Sequence, residues 1–247
     1  MNRPVLEIAA NSLASALAAQ EGGADRVELC DNLGEGGTTP SYGTLSITRD
    51  SVRIPLYVLI RPRAGDFCYD EAEVDVMLRD IESCVQLGCD GVVIGALDAR
   101  GDVDEAVCSE LIAAAGTLGV TFHRAFDAAP DQSRALDSII ALGCERVLTS
   151  GGEAAALTGA TRIAGVVKHA CSRLKVMAGA GIDAGNIREV ALRSKAHEFH
   201  GSGRAMRASP SQYRNDRLRG LDVDWWETDA GKVRAMVDAL EAAGSGL

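Results

Sequence analysis

Charged and polar side chains interrupt several apolar runs that otherwise have the composition of buried strands. Glu7 lies in the first such run, Glu28 in the second, Arg61 at the end of the third and His123 late in the fifth. Burying an ionisable group is unfavourable unless it has a partner or a function. Two carboxylates, a guanidinium and an imidazole in one place would supply a general acid, a general base and an anion clamp. These four residues are therefore candidate catalytic residues.

Three stretches of the chain repeat one pattern, and this pattern predicts the elements that position these residues. In each stretch a glycine that can end a helix precedes an acidic residue and a short β-branched run: GGADRVELC (22–30), LGCDGVVIG (87–95) and LGCERVLTS (142–150). The same pattern along the chain predicts eight strands, near 5–9, 26–30, 55–61, 91–95, 119–124, 146–150, 175–179 and 198–202.

Helical patterns lie between the predicted strands. The clearest covers residues 71–87, where Asp70 and Glu73 form a capping box at the start and Gly88 provides a stop. A final helix is predicted over about 230–243. The apolar face of the helix over 71–87 comprises Val74, Met77, Leu78, Ile81 and Val85.

Strands that alternate with helices indicate parallel βαβ units. Eight such units in 247 residues favour an α/β fold with a closed (β/α)₈ TIM barrel, and no linker-like segment divides residues 1–247, so we predict one domain. A doubly wound open sheet is the alternative. The G-x-G-x-x-G expected there after the first strand is replaced by EIAANSL, so no nucleotide cofactor is indicated.

Strand residues alternate between the barrel interior and the helix layer, so parity selects the inward side chains. Arg124 has the opposite parity to His123, and Asp127 is typical of a turn or cap; both are expected to be supports. The alternative to a catalytic cluster is a structural network in which every buried charge has a partner. The predicted inward set is Glu7, Glu28, Cys30, Arg61, His123, Thr149 and His200.

Glycine-rich turns follow the last three predicted strands: SGG (150–152), GAG (179–181) and GSG (201–203). Loops in these places often bind phosphate in this fold, because glycine lets backbone N–H groups approach an anion. Glycine is also the ordinary residue of tight βα turns, which is the competing interpretation. The candidate anion-binding residues are Arg63, Ser150, Gly151, Gly152, Gly179, Gly181 and Ser202.

Composition limits the class of partner. The formal net charge of −10 argues against binding to nucleic acid or to an anionic membrane, so we expect a small partner, either an anionic ligand or a copper ion. The chain opens without a targeting pattern, which predicts a cytoplasmic location. Seven cysteines without a C-x-x-C pair are typical of reduced thiols. Cys30 alone is predicted at an interior strand end, where a thiolate could bind Cu(I).

Several motifs make the chain resemble the copper homeostasis protein CutC family: GGADRVELC (22–30), EGGTTPS (35–41), IRPRAGDFCY (60–69), VTFHRAFD (120–127), RVLTSGG (146–152), MAGAGI (177–182) and YRN (213–215). The resemblance implies a TIM barrel, a cytosolic location, homo-oligomers and a role in copper homeostasis through Cu(I) binding by cysteine. Family members often carry cysteine after the first-strand LEI motif. This chain has Ala9 and Ala10 there, so Cys30 lacks that second thiol.

Two functional hypotheses follow. The first is a CutC-like protein that binds Cu(I) through Cys30. The second is a barrel enzyme in which Arg61 and the glycine loops hold a small anionic metabolite while Glu28 and His123 move protons. A role in subunit contact is a third possibility, because Trp225 and Trp226 could anchor an interface; their alternative place, which we favour, is against the barrel's own helix layer.

Overall fold

Eight parallel strands close into a barrel in the computed structural model, which describes residues 3–215, 217 and 223–244. Each strand pairs with its neighbours in chain order, and β1 closes the ring by pairing with β8, where Glu7 lies opposite His200. The predicted TIM barrel is therefore confirmed. The strands are β1 (Val5–Ala10), β2 (Arg26–Leu29), β3 (Leu56–Leu59), β4 (Gly91–Ile94), β5 (Gly119–Phe122), β6 (Arg146–Thr149), β7 (Lys175–Ala178) and β8 (Glu198–Gly201).

Helices surround the barrel and bury one face each against it. They are α1 (Leu13–Gly22), α2 (Tyr42–Ser51), α3 (Glu71–Gln86), α4 (Glu105–Ala115), α5 (Ala125–Ala128), α6 (Gln132–Ala141), α7 (Ala156–Ala170), α8 (Ile187–Ser194) and α9 (Ala230–Gly244). Within the described ranges, none of these helices has the length and apolarity needed to cross a bilayer.

The capping box predicted for α3 is present, with Asp70 and Glu73 each accepting from the other's backbone N–H. Val74, Met77 and Ile81 are buried as expected. The prediction for Val85 is wrong, since it is 45% exposed and Cys84 takes the buried position at that end of the helix.

The repeated helix-to-strand turn has one backbone geometry in all three places. A glycine with positive φ ends the helix, and the N–H of the next residue donates to the carbonyl five positions earlier, as in a Schellman motif. The bond places that next residue beside the last turn of its helix. The glycines are Gly23, Gly88 and Gly143, and the bonds run from Ala24 to Ala19 (3.0 Å), Cys89 to Cys84 (3.0 Å) and Cys144 to Ile139 (3.4 Å).

An antiparallel ribbon outside the barrel follows β8. It consists of β9 (Arg204–Arg207) and β10 (Trp225–Thr228). The ribbon is tied to α1 because the backbone N–H of Thr228 donates to Ser15 Oγ at 3.1 Å. Trp225 and Trp226 are 45% and 46% exposed. β10, which carries them, lies against α1, so their place over the helix layer stays a prediction.

Candidate functional site

A cavity of about 450 Å³ opens at the carboxyl ends of the strands. This is the end where TIM barrels place their active sites, because the loops that follow the strands converge there. Five of the residues predicted from sequence line the cavity: Glu28, Arg61, His123, Gly181 and Ser202. His200, from the predicted inward set, lines it as well.

Glu7 is fully buried beside this cavity. Its Oε1 accepts from His200 Nδ1 at 2.7 Å, and its Oε2 accepts from Arg26 Nε. Burial opposes ionisation, but the charge of Arg26 and the hydrogen bond and charge of His200 outweigh it and hold the Glu7 pKa at about 2. Glu7 is therefore a permanent anion at neutral pH and does not act as a general acid in this setting.

An ion network fills the barrel below the cavity. Arg26 hydrogen-bonds both Glu7 and Glu198, and Arg146 Nε donates to Glu198 Oε2 at 3.1 Å. The ring of Tyr57 lies 5.1 Å from the Arg26 guanidinium carbon and 4.9 Å from that of Arg146. In this layer every charge has a partner, as the structural alternative required.

Glu28 occupies a different environment from Glu7. It is 5% exposed, and its Oε2 has no hydrogen-bond partner; His200 Nδ1 lies 3.6 Å from it. Burial raises the Glu28 pKa to about 7, against the opposing charge of His200. Burial by itself lowers the His200 pKa, but the carboxylates of Glu28 and Glu7 raise it overall. The Glu28 carboxyl can therefore change protonation near neutral pH, as its predicted acid–base role requires.

Arg61 is 5% exposed at the cavity wall and is held by carbonyl groups alone. Its Nη1 donates to Glu35 O at 2.9 Å and Gly37 O at 2.7 Å, and its Nη2 donates to Gly65 O at 2.8 Å. Its Nε has no partner, and across the described residues no carboxylate forms an ion pair with it. The Arg61 charge is thus oriented but not compensated.

His123 is buried at the cavity, and its hydrogen bond fixes its tautomer. Nδ1 accepts from the backbone N–H of Ala125 at 3.1 Å, which leaves the hydrogen on Nε2, and Nε2 has no partner. Burial and the charge of Arg61 lower the His123 pKa to about 3. His123 is therefore suited to donate a hydrogen bond to a ligand, whereas the predicted transfer of protons at neutral pH is disfavoured.

The loop after β6 holds a carboxylate from the protein itself. Asp127 accepts from the backbone N–H groups of Ser150 and Gly152, both at 2.9 Å, and from Thr149 Oγ1 at 2.6 Å. The Gly151 N–H donates to Thr149 Oγ1 at 2.8 Å. Anion binding by Ser150, Gly151 and Gly152 is therefore a wrong prediction, since their N–H groups are already used.

Three further placements differ from the predictions. Thr149 does not face inward; Leu148 lines the cavity instead, because Arg146 and Leu148 share the inward parity of β6. Arg63 lies outside the cavity lining, and its charge is paired with Glu73. The N–H of Gly179 donates to the Thr149 carbonyl at 3.0 Å and is not available to a ligand.

The loops after β7 and β8 differ from the loop after β6. Within the part of the chain that the structure describes, the backbone N–H groups of Gly181, Ile182, Ser202 and Gly203 make no hydrogen bond to protein atoms. Ala180 follows β7 and directly precedes Gly181. Its φ is +82°, which is a strained conformation for a residue with a Cβ. Gly181, Ile182 and Ser202 line the cavity, so these two loops present unpaired donors there, and anion binding by Gly181 and Ser202 stays a prediction.

Cys30 lies next to this site but not on the cavity wall. It is 1% exposed and packs with Ala9, Tyr57, Leu59 and Val93. Burial, followed by the negative charges of Glu28 and other nearby carboxylates, raises the pKa of the Cys30 thiol well above its usual range. Without a metal ion the side chain is therefore a neutral thiol, and a metal would have to displace its proton.

The interior residues Arg26, Tyr57, Arg146 and Glu198 were missing from the predicted set. Parity could have found three of them, because Arg26 shares the parity of Glu28 along β2, Tyr57 that of Arg61 in the predicted strand over 55–61, and Glu198 that of His200 along β8. Arg146 was missed because Thr149, which has the opposite parity in β6, was predicted to face inward.

The chain is similar to one protein family over most of its length. The model of the CutC family matches residues 4–205. A family protein CutC from Xanthomonas axonopodis pv. citri is 57% identical over 238 residues, covering 96% of this chain and 99% of the relative. The corresponding protein of Bacteroides thetaiotaomicron is 44% identical over 246 residues, covering 98% and 99%.

Solved structures show the same relationship. The copper homeostasis protein CutC of Streptococcus agalactiae is 33% identical, with a TM-score of 0.77, over 81% of this chain and 98% of that one. Thiamine phosphate pyrophosphorylase of Pyrococcus furiosus is 15% identical, with a TM-score of 0.59, over 98% of each chain. At that identity the second likeness concerns the fold alone.

Proposed function

The chain belongs to the CutC family, and we propose that it binds a small anionic metabolite, carrying a phosphate or carboxylate group, in the cavity at the barrel mouth. The observation that carries the proposal is the Arg61 guanidinium. It is 5% exposed, fixed by three carbonyls and without a carboxylate partner in the described chain. An uncompensated buried charge is unfavourable, and an anion in the cavity would compensate it.

Two kinds of donor support the same ligand. Arg61 Nε and His123 Nε2 are buried and unpartnered, and both side chains line the cavity. Carbonyl or carboxylate oxygens of a ligand would satisfy both N–H groups. Phe67 packs near both groups: the centre of its ring lies 5.1 Å from the guanidinium carbon of Arg61 and 5.0 Å from the centre of the His123 ring. One apolar side chain therefore contacts both donors.

The loops after β7 and β8 supply the second anchor. Gly181, Ile182, Ser202 and Gly203 have unpaired N–H groups, and such groups are well suited to phosphate oxygens. The loop after β6 provides the internal comparison, because its equivalent N–H groups already bind the carboxylate of Asp127.

The test is a titration of ¹⁵N-labelled protein with inorganic phosphate and, separately, with malonate. We expect saturable shifts of the Gly181, Ile182, Ser202 and Gly203 amides. Arg61→Gln should weaken binding by about 10-fold or more, because hydrogen bonds to charged groups contribute about 1.5–3 kcal/mol. Arg63→Gln, which changes a nearby exposed arginine paired with Glu73, should bind as the wild type does. Absence of saturable shifts, or equal effects of the two variants, would contradict the proposal.

Copper binding through Cys30 is the competing proposal, motivated by the family's name and by the interior position of this thiol. Cu(I) favours soft ligands, and a second sulfur would be needed beside Cys30. A Cu(I) titration of reduced wild type and Cys30→Ser against a competing chelator separates the two functions. We expect the wild type and Cys30→Ser to bind Cu(I) weakly and equally. Tight binding by the wild type that is lost in Cys30→Ser would favour the copper function instead.

A further inference from the structure

We propose that Glu7, Glu28 and His200 form a binding site for one divalent cation of the Mn²⁺ to Zn²⁺ series. One oxygen from each carboxylate and one imidazole nitrogen all lie within 4.8 Å of one another. The three residues come from β1, β2 and β8, which are neighbours in the barrel and therefore hold their side chains at a fixed separation. The proposal does not depend on the anion proposed above.

An unpartnered oxygen in this cluster indicates a ligand other than a proton. Glu28 Oε2 is buried and has no hydrogen-bond partner. The single hydrogen of His200 Nδ1 serves Glu7 Oε1 at 2.7 Å and is too far from Glu28 Oε2, at 3.6 Å. A proton thus satisfies one carboxylate only, whereas a cation that displaces this hydrogen to solvent could bind both carboxylates and the freed nitrogen lone pair together.

The surroundings orient the cluster in the way that metal ligands are usually supported. Arg26 donates to the second oxygen of Glu7 and is itself held by Glu198, which directs Glu7 Oε1 toward His200. Two carboxylates balance the charge of a dication, and the two neighbouring arginines, Arg26 and Arg146, are balanced by Glu198 and Glu145. The buried site would therefore be electrically neutral when loaded.

The donor set selects the class of ion. Two carboxylate oxygens and an imidazole nitrogen suit Mn²⁺, Fe²⁺, Co²⁺ or Zn²⁺, while Cu(I) prefers the sulfur ligands that this cluster lacks. Because Glu28 and His200 line the cavity, a bound ion would be accessible to a ligand there. In this role Glu28 is a metal ligand, and its acid–base role would be displaced.

The experiment uses protein treated with EDTA and desalted, with no added anion beyond the buffer. Zn²⁺ is titrated against a competing chelator, Mn²⁺ binding is followed by the electron paramagnetic resonance of the free ion, and Co²⁺ binding by its visible absorption. We expect one equivalent of at least one ion to bind. Glu28→Gln should weaken this binding by about 10-fold or more, because removing a metal ligand should reduce the affinity at least as much as removing a residue that hydrogen-bonds to a ligand.

Glu35→Gln is the matched control, because Glu35 lines the same cavity but lies outside the cluster, and it should bind the ion as the wild type does. Circular dichroism of Glu28→Gln confirms that the variant is folded. The proposal is overturned if no ion binds stoichiometrically, if Glu28→Gln binds like the wild type, or if Cys30→Ser alone abolishes binding. Because phosphate is absent, failure here leaves the phosphate titration unaffected and the two proposals separable.

Discussion

The carboxylate of Asp127 accepts the backbone N–H of Gly152 at 2.9 Å, so a side chain from α5, which follows β5, occupies the anion position of the loop after β6. The same carboxylate accepts from Ser150 N–H and lies 2.8 Å from Arg124 Nε. The backbone N–H groups of this glycine loop thus bind a side chain of the protein itself.

Asp127→Asn should therefore lower the free energy of unfolding by about 2 kcal/mol, because one charged acceptor is replaced by an amide that presents N–H groups to N–H groups. Urea denaturation measures the change. Asp131→Asn is the control: Asp131 caps α6, and asparagine caps a helix about as well as aspartate. Equal stability of the two variants would show that the Asp127 contacts contribute little.

Gly91→Ala should destabilise the barrel by about 2–3 kcal/mol, as overpacked cores do. A Cβ at this position would lie 2.1 Å from Tyr57 Cε1, and the Tyr57 ring is confined by Arg26 and Arg146. Gly165→Ala in α7, where a Cβ meets nothing within 4 Å, should instead raise stability by about 0.5–1 kcal/mol. Thermal unfolding of both variants measures these changes. A Gly91→Ala unfolding midpoint at or above that of the wild type would contradict the prediction.

Acidification should destabilise the wild type partly through His123. Its folded pKa of about 3 lies below the ordinary value of 6.5, so between these values the unfolded state binds more protons. The contribution of His123 is complete above about pH 6.5 and falls by up to about 1.4 kcal/mol per unit as the pH decreases.

His123→Gln should remove this slope. Between pH 7 and pH 5 the variant is expected to lose about 2 kcal/mol less stability than the wild type, measured by denaturant unfolding at each pH. Parallel losses in the wild type and His123→Gln would show that this imidazole is not the neutral group described.

Thiol labelling should distinguish Cys68 and Cys171 from the other cysteines. These two are exposed and the remaining five, Cys30 among them, are buried. Native protein should therefore react rapidly at two thiols with 5,5′-dithiobis(2-nitrobenzoic acid), and denatured protein at all seven. Cys30→Ser should leave the native count at two; a fast third thiol that disappears in this variant would place Cys30 in contact with solvent.

The barrel could be predicted from the sequence because the patterns that specify its helices, strands and turns are local. The Schellman glycines, the capping box of α3 and the β-branched runs each specify a turn, a helix start or a strand within a few residues. Inward parity was correct for Glu28 and His123 for the same reason.

Pairing could not be predicted in the same way. Whether Gly152 offers its N–H to a ligand depends on Asp127, 25 residues earlier, and whether Glu7 is ionised depends on Arg26 and His200. Thr149 shows how sensitive the parity argument is to an error of one residue. Thr149 was predicted to face the barrel interior, whereas its side chain donates to Asp127 instead. These outcomes depend on three-dimensional neighbours that no local pattern contains.

The contact between Ser15 and Thr228 has a consequence for biosynthesis. Because these partners are 213 residues apart, α1 acquires its outer hydrogen bond only after nearly all of the described chain has left the ribosome. The first βα unit must therefore remain on the nascent chain without its final partner while later units emerge. A shortened translation product that lacks the ribbon would leave the Ser15 hydroxyl of α1 without this partner.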